Sequence, residues 1–126
     1  MARVTRVPVL VTTIAGQTCV VPIDQVVETL RPPANIEGTC VHRGDVVPMI
    51  RAAALRGHDA PPRRCVVIRV GTDRVAVLVD DVVEVVSHDA ADLARFTGAF
   101  TSDHLRDLPA PIAAALASIR RPPGTA

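Results

Sequence analysis

The alternation of apolar and polar positions along this chain is written twice. Val9 to Leu30 reads VLVTTIAGQTCVVPIDQVVETL, and Cys65 to Val86 reads CVVIRVGTDRVAVLVDDVVEVV; both are 22 residues long and align without a gap at an offset of 56. Apolar positions mostly meet apolar positions, and polar pairs meet at the turn, Gln17 with Asp73 and Thr18 with Arg74. An acid-x-Val-Val-Glu pattern closes each unit, at Asp24, Val26, Val27 and Glu28 and again at Asp80, Val82, Val83 and Glu84. Two such units predict two similar small β modules packed in one body.

Within the first unit, Val7–Thr13 is a strand, Ala15-Gly16-Gln17 a turn and Thr18–Val21 the returning strand. Pro22 ends it. Ile23, Val26, Val27 and Leu30 then recur at i, i+3, i+4, i+7, which predicts a short amphipathic helix stopped by Pro32-Pro33. Strands are expected at 36–41 and 46–50, joined tightly through Arg43-Gly44-Asp45, with one helical turn at 52–55. The polar, proline-bearing stretch 57–64 is a linker. The second unit gives strands 65–70 and 74–79 about Gly71-Thr72-Asp73. Its continuation, 80–86, is so β-branched that at most a helical turn precedes a strand. Leu93, Phe96 and Phe100 are candidate anchors, and 111–120 is a C-terminal helical segment with Ile112, Leu116 and Ile119 on one face and Pro111 in its first turn. Residues 120–126 are expected to fray. The two β subdomains fall at about 7–56 and 65–108 of a single domain, with exchange of strands between them allowed.

Composition narrows the functional classes. The chain has 126 residues, 48% of them hydrophobic, but only two aromatics, so its interior is aliphatic. The net charge of +1, with all 14 basic residues arginine, gives no electrostatic argument for nucleic acid, and no aromatic platform exists for base stacking. Three cysteines, each in an apolar setting, read as buried free thiols of a reducing cytoplasm. No signal peptide and no run long enough to cross a membrane is evident, so direct membrane insertion is not expected.

Chemistry-bearing residues are sparse. Cys40, His42 and Asp45 suggest a small thiol hydrolase, the rival reading from a different functional class. Together with Cys19 or Cys65 they suggest zinc. No C-x-x-C or H-x-x-x-H spacing supports a metal, and no glycine-rich phosphate loop is present. The reading is therefore of a protein-binding module without metal, cofactor or catalytic residues.

Gly38 to Pro48, GTCVHRGDVVP, resembles the Gly-hydrophobic-hydrophobic-x-x-Arg-Gly-x-x-x-Pro signature of the chemotaxis coupling proteins, the CheW-like domain. Val9–Leu30 is similar to that family's first hairpin and following segment, matching at Pro22, Val26 and Glu28. Cys65–Val86 is similar to its second hairpin, matching at Val79, Asp80 and Val82. The chain departs from the pattern in carrying Val41 where the family usually has Asn, and Arg51-Ala52 where an acid and Leu are usual. Pro109 and Pro111 fall where the family's closing strands run, so those strands are expected to be broken, rearranged or missing.

The resemblance implies an all-β fold of two small SH3-like five-stranded barrels sharing a hydrophobic junction, with a short helix after the first hairpin. It implies a non-enzymatic adaptor with two partners, the regulatory domain of a histidine autokinase and a chemoreceptor-like helical hairpin. Such an adaptor is cytoplasmic and recruited to membrane receptor arrays. An uncovered barrel edge offers self-association, or another regulatory partner, as an alternative. Arg43 and Glu28 are implied to meet and to set the polarity of a binding surface. Val46, Val47 and Met49 are candidates for the apolar part of that surface, although alternation puts Val47 and Met49 on one face and Val46 and Pro48 on the other. Gly38, Gly44 and Pro48 are structural positions of the connection, and His42 is expected as a half-exposed neighbour of Arg43.

Overall fold

The doubled pattern is built as two hairpins that trade their third strands. The computed structural model describes residues 5–35 and 38–123. Strands β1 (Arg6–Ile14) and β2 (Gln17–Pro22) form the first hairpin, and β6 (Arg64–Val70) and β7 (Asp73–Val79) the second. Strand β3 (Val26–Leu30) leaves the first hairpin to pair with β6, and β8 (Asp81–Asp89) leaves the second to pair with β1. The registers repeat at the sequence offset. Hairpin pairs from Val9↔Pro22 to Ile14↔Gln17 have their images from Cys65↔Leu78 to Val70↔Asp73. Likewise Val9↔Val86, Leu10↔Val85, Val11↔Glu84 and Thr12↔Val82 mirror Leu30↔Cys65, Thr29↔Val66, Glu28↔Val67 and Val26↔Ile68. Even the bulge recurs: the register skips Val83 in β8 and Val27 in β3.

Two further pieces complete each five-stranded sheet. In the first, ordered β8-β1-β2-β10-β9, they are β9 (Thr97–Gly98) and β10 (Arg120–Arg121). In the second, ordered β3-β6-β7-β5-β4, they are β4 (Thr39–His42) and β5 (Asp45–Arg51), with β5 parallel to β7. Among the described residues four short helices, α1 (Ala52–Leu55), α2 (Ala90–Leu93), α3 (Ser102–Leu105) and α4 (Ala110–Ala117), lie in the connections. The all-β class with two five-stranded units is thus the fold the chain adopts.

Period-two alternation sorts the side chains between three cores. Leu10, Ile14, Cys19 and Val21 of the first hairpin meet Val66, Ile68, Val75, Val77 and Val79 of the second in one shared seam. The alternate residues face inward, Val9 and Val20 with Phe96 in the first sheet, and Cys65, Val67, Ala76 and Leu78 with Val47 and Met49 in the second. Both faces of each hairpin are covered, which is why valine runs unbroken through these strands instead of alternating with polar residues. Thr12 stands in the seam at the place of Ile68, and its buried hydroxyl donates to the Cys19 carbonyl at 3.1 Å.

Two expectations need correction. The helix expected from Ile23 to Leu30 is a single 3-10 turn, Ile23–Gln25, followed by strand β3. Val27 and Leu30, three residues apart, both pack on the interior of the second sheet because the bulge at Val27 shifts the pleat, and a spacing of three imitates a helix. The tail frays less than expected, since Arg120 and Arg121 pair with Gly98 and Thr97. The closing strands of the first sheet are reduced to two residues each, and α4 packs Ile112, Ala115 and Leu116 into the seam. The strand expected to begin at Ile36 starts in the described residues at Thr39, and its earlier part lies outside them.

Candidate functional site: the β4–β5 hairpin tip

The tip of the β4–β5 hairpin gathers polar groups from four strands. Register pair His42↔Asp45 leaves Arg43 and Gly44 as a two-residue loop, with φ of +51° and +84°. Positive φ at both central positions is the type I′ hairpin turn, which suits the twist of the flanking strands. Glycine takes this conformation freely, whereas arginine does so at a cost of about 1–2 kcal/mol. The Arg43 side chain is 63% exposed, and its Nη2 lies 3.2 Å from Glu28 Oε2 on β3. The implied Arg43–Glu28 contact is therefore present.

His42 is the unexpected member. It is only 5% exposed, not half-exposed, because β4 turns it inward. Its Nε2 lies 2.7 Å from the same Glu28 oxygen, and its Nδ1 lies 2.7 Å from Arg74 Nη1 on β7. A guanidinium has only donors, so Nδ1 must accept and Nε2 carries the hydrogen that it donates to Glu28. Arg74 also donates to the His42 carbonyl at 3.2 Å and pairs with Asp45. The His42 bond, with burial opposing it and Arg43 adding, holds the Glu28 carboxyl below the usual carboxylate range. Arg74 was not singled out by the sequence; the available signal was a charge where the matching position of the first unit is Thr18.

This network removes the thiol-hydrolase reading. Both imidazole nitrogens are occupied, so none is left to take a proton from Cys40, and Asp45 serves Arg74 instead of orienting the ring. Burial raises the Cys40 and Cys19 thiols above their ordinary value and pushes Cys65 up to about 11, which opposes the thiolate a nucleophile needs. Among the described residues no group of His, Cys, Asp and Glu is placed to hold a metal.

The apolar candidates separate. Contrary to expectation, Val47 and Met49 are core residues, 2% and 6% exposed, and not surface contacts, because alternation turns them into the second sheet. Val46 is 71% exposed and is the cross-strand partner of Val41, itself 73% exposed, so the two valines form one outward patch beside Arg43. A cleft of about 470 Å³ adjoins it, lined by Val46, Pro48, Thr72, Asp73, Arg74 and Pro111 among others. Pro48 sits opposite Thr39, and the Gly38 carbonyl accepts from Met49 N at 2.8 Å, so both act structurally at the base of the hairpin.

Residues 8–104 match the family model described as the CheW-like domain. Among solved structures, the chain is similar to the scaffolding protein TtCheW from Thermoanaerobacter tengcongensis. The TM-score is 0.62 and the identity 19%, with 78% of this chain and 75% of that one covered. No curated protein matches the chain. No helix among the described residues is long and apolar enough to cross a membrane.

Proposed function

The chain belongs to the CheW-like domain family, and on that premise we propose that it is a non-enzymatic adaptor joining a chemoreceptor-like helical hairpin to the regulatory domain of a histidine autokinase. The observation that carries this reading is the hairpin tip. An exposed arginine is held at positive φ by its turn, anchored by Glu28, and flanked by the exposed valines 41 and 46. Backbone strain retained under an exposed cation is a cost to folding that a binding surface explains. An apolar patch with an oriented charge at its rim suits protein recognition, the patch for affinity and the charge for register. The adaptor works by position: it holds two partners in register so that a change in one reaches the other. Its place of action is the cytoplasmic side of receptor arrays.

Co-purification from the native host tests this. Arg43→Glu is expected to lose one partner while the fold stays intact. Retention of every partner by the variant removes the proposed role of Arg43, and absence of receptor and kinase from the wild-type sample removes the adaptor reading.

A further inference from the structure

A second polar cluster lies toward the other end of β7 from Arg74, where β3 ends, β6 begins and β8 starts. A cleft of about 490 Å³ there is lined by Arg31, Pro32, Arg63, Arg64, Asp81 and Val82. Among the described residues none of the three guanidinium groups has an ion-pair partner. Asp81, the one carboxylate among the described residues that line it, uses Oδ1 to accept from Val82 N at 2.9 Å. Leu30↔Cys65 is the last register pair of β3 and β6, so Arg31 and Arg64 occupy the next opposed positions outward. Like charges facing each other across a ladder are destabilising.

The internal repeat shows that the fold does not require these charges. Shifted by 56, Arg31 and Arg64 correspond to Ser87 and Pro8, which pair in the first sheet, and Arg63 corresponds to Val7. The same corner is closed there without facing like charges: Ser87 sits opposite Pro8, and the Arg6 guanidinium donates to the Ser87 carbonyl at 2.8 Å. The arginines also stand on stiff backbone. Arg31 precedes Pro32, Arg63 follows Pro62 and donates its N–H to the Val79 carbonyl at 3.1 Å, and Arg64 pairs with Val79. Arg64 is half-buried.

We propose that Arg31, Arg63 and Arg64 form a binding site for the phosphate groups of a small polyphosphate ligand. Guanidinium forks match phosphate oxygens bidentately, and three forks converging on one cleft satisfy adjacent tetrahedral groups better than one planar carboxylate. None of the described residues lining the cleft is aromatic, so they offer no stacking platform for a base or other ring on such a ligand. The site makes no use of the β4–β5 tip and stands whether or not the adaptor reading does.

The test is titration of the full chain with pyrophosphate, followed by calorimetry and by the arginine side-chain NMR signals. One saturable site is expected. Arg31→Gln and Arg64→Gln should each weaken it about tenfold, the loss expected for one charge-assisted bond. Arg95→Gln, an equal loss of charge at an exposed position away from the cleft, should leave affinity unchanged. Without ligand, Arg31→Gln should keep or raise the melting temperature, which separates loss of binding from loss of fold, and Arg31→Lys, retaining charge without the fork, should fall between. Equal weakening by Arg95→Gln, or a glutamate peptide binding as tightly as pyrophosphate, overturns the proposal.

Discussion

The two sheets share hairpins with the same register and differ in what closes them. In the second, β4 and β5 supply four and seven residues of regular strand and an interior that includes Val47 and Met49. In the first, two-residue strands and the anchors Phe96 and Leu93 do the same work over Val9 and Val20. Even the acid following each second strand behaves differently. Asp80 accepts from Gly16 N at 3.0 Å, and its own N–H reaches the Thr13 carbonyl at 2.9 Å. Its counterpart Asp24 lines a gap beside Gly71. The symmetric parts make the seam, where each half is the other's core. What is proposed to bind differs between the copies: Val41, Arg43 and Val46 stand on a hairpin that the first sheet lacks, and Arg31, Arg63 and Arg64 stand where the first unit has Ser87, Val7 and Pro8.

That comparison is breakable in graded ways. Ile68→Ala, in the seam, should cost about 2–5 kcal/mol and lower hydrogen-exchange protection in both sheets together; a loss confined to the second would mean the sheets fold separately. Next, alkali should act most strongly through Cys65 in the second sheet, whose thiol rises from the ordinary 9.0 to about 11, with the raised thiols of Cys19 and Cys40 adding in the same direction. The sign follows from linkage. Below pH 9 the thiol is neutral in both states and its contribution is full; between about 9 and 11 the unfolded chain ionises first and stability falls, by roughly 2–3 kcal/mol. Cys65→Val, which installs the residue of the matching position Val9, should flatten this part of the pH–stability curve. If the slope persists, the titrating group lies elsewhere.

Arg74→Met removes the donors that hold His42 and Asp45, and should cost about 1–3 kcal/mol. It should also release the Nε2–H tautomer of His42, readable by 15N NMR, whereas Thr18→Met at the matching place should do little. An unchanged tautomer would show that Glu28 alone fixes the ring. The smallest effect is expected at the turn. Arg43→Gly relieves the positive φ, and urea unfolding should show stability unchanged or raised by up to about 1 kcal/mol. A destabilisation larger than that would make Arg43 a structural residue.

The repeat was legible because both copies must satisfy the same seam, and its offset carries the pairing of hairpins and third strands. Pairs such as Gln17 with Asp73 mark where each turn falls. What misled was local: at Val27 a bulge places residues three apart on one side, and no propensity distinguishes that from a helical turn. The Arg43–Glu28 contact was accessible only through the resemblance of Gly38–Pro48, since the two residues come from strands at opposite edges of one sheet. His42 and Arg74 were hidden for a related reason. Their meeting depends on how β4 and β7 curve around the barrel interior, and nothing in a linear pattern reports that.

The crossing of β3 and β8 makes each hairpin hostage to the other. A backbone nick anywhere from 57 to 62 would leave one fragment holding β3 without its partner β6 and the other holding β8 without its partner β1. Neither piece could complete its own sheet, yet mixed together they have every strand required. Reassembly of the two halves on mixing is therefore the outcome this strand exchange leads one to expect.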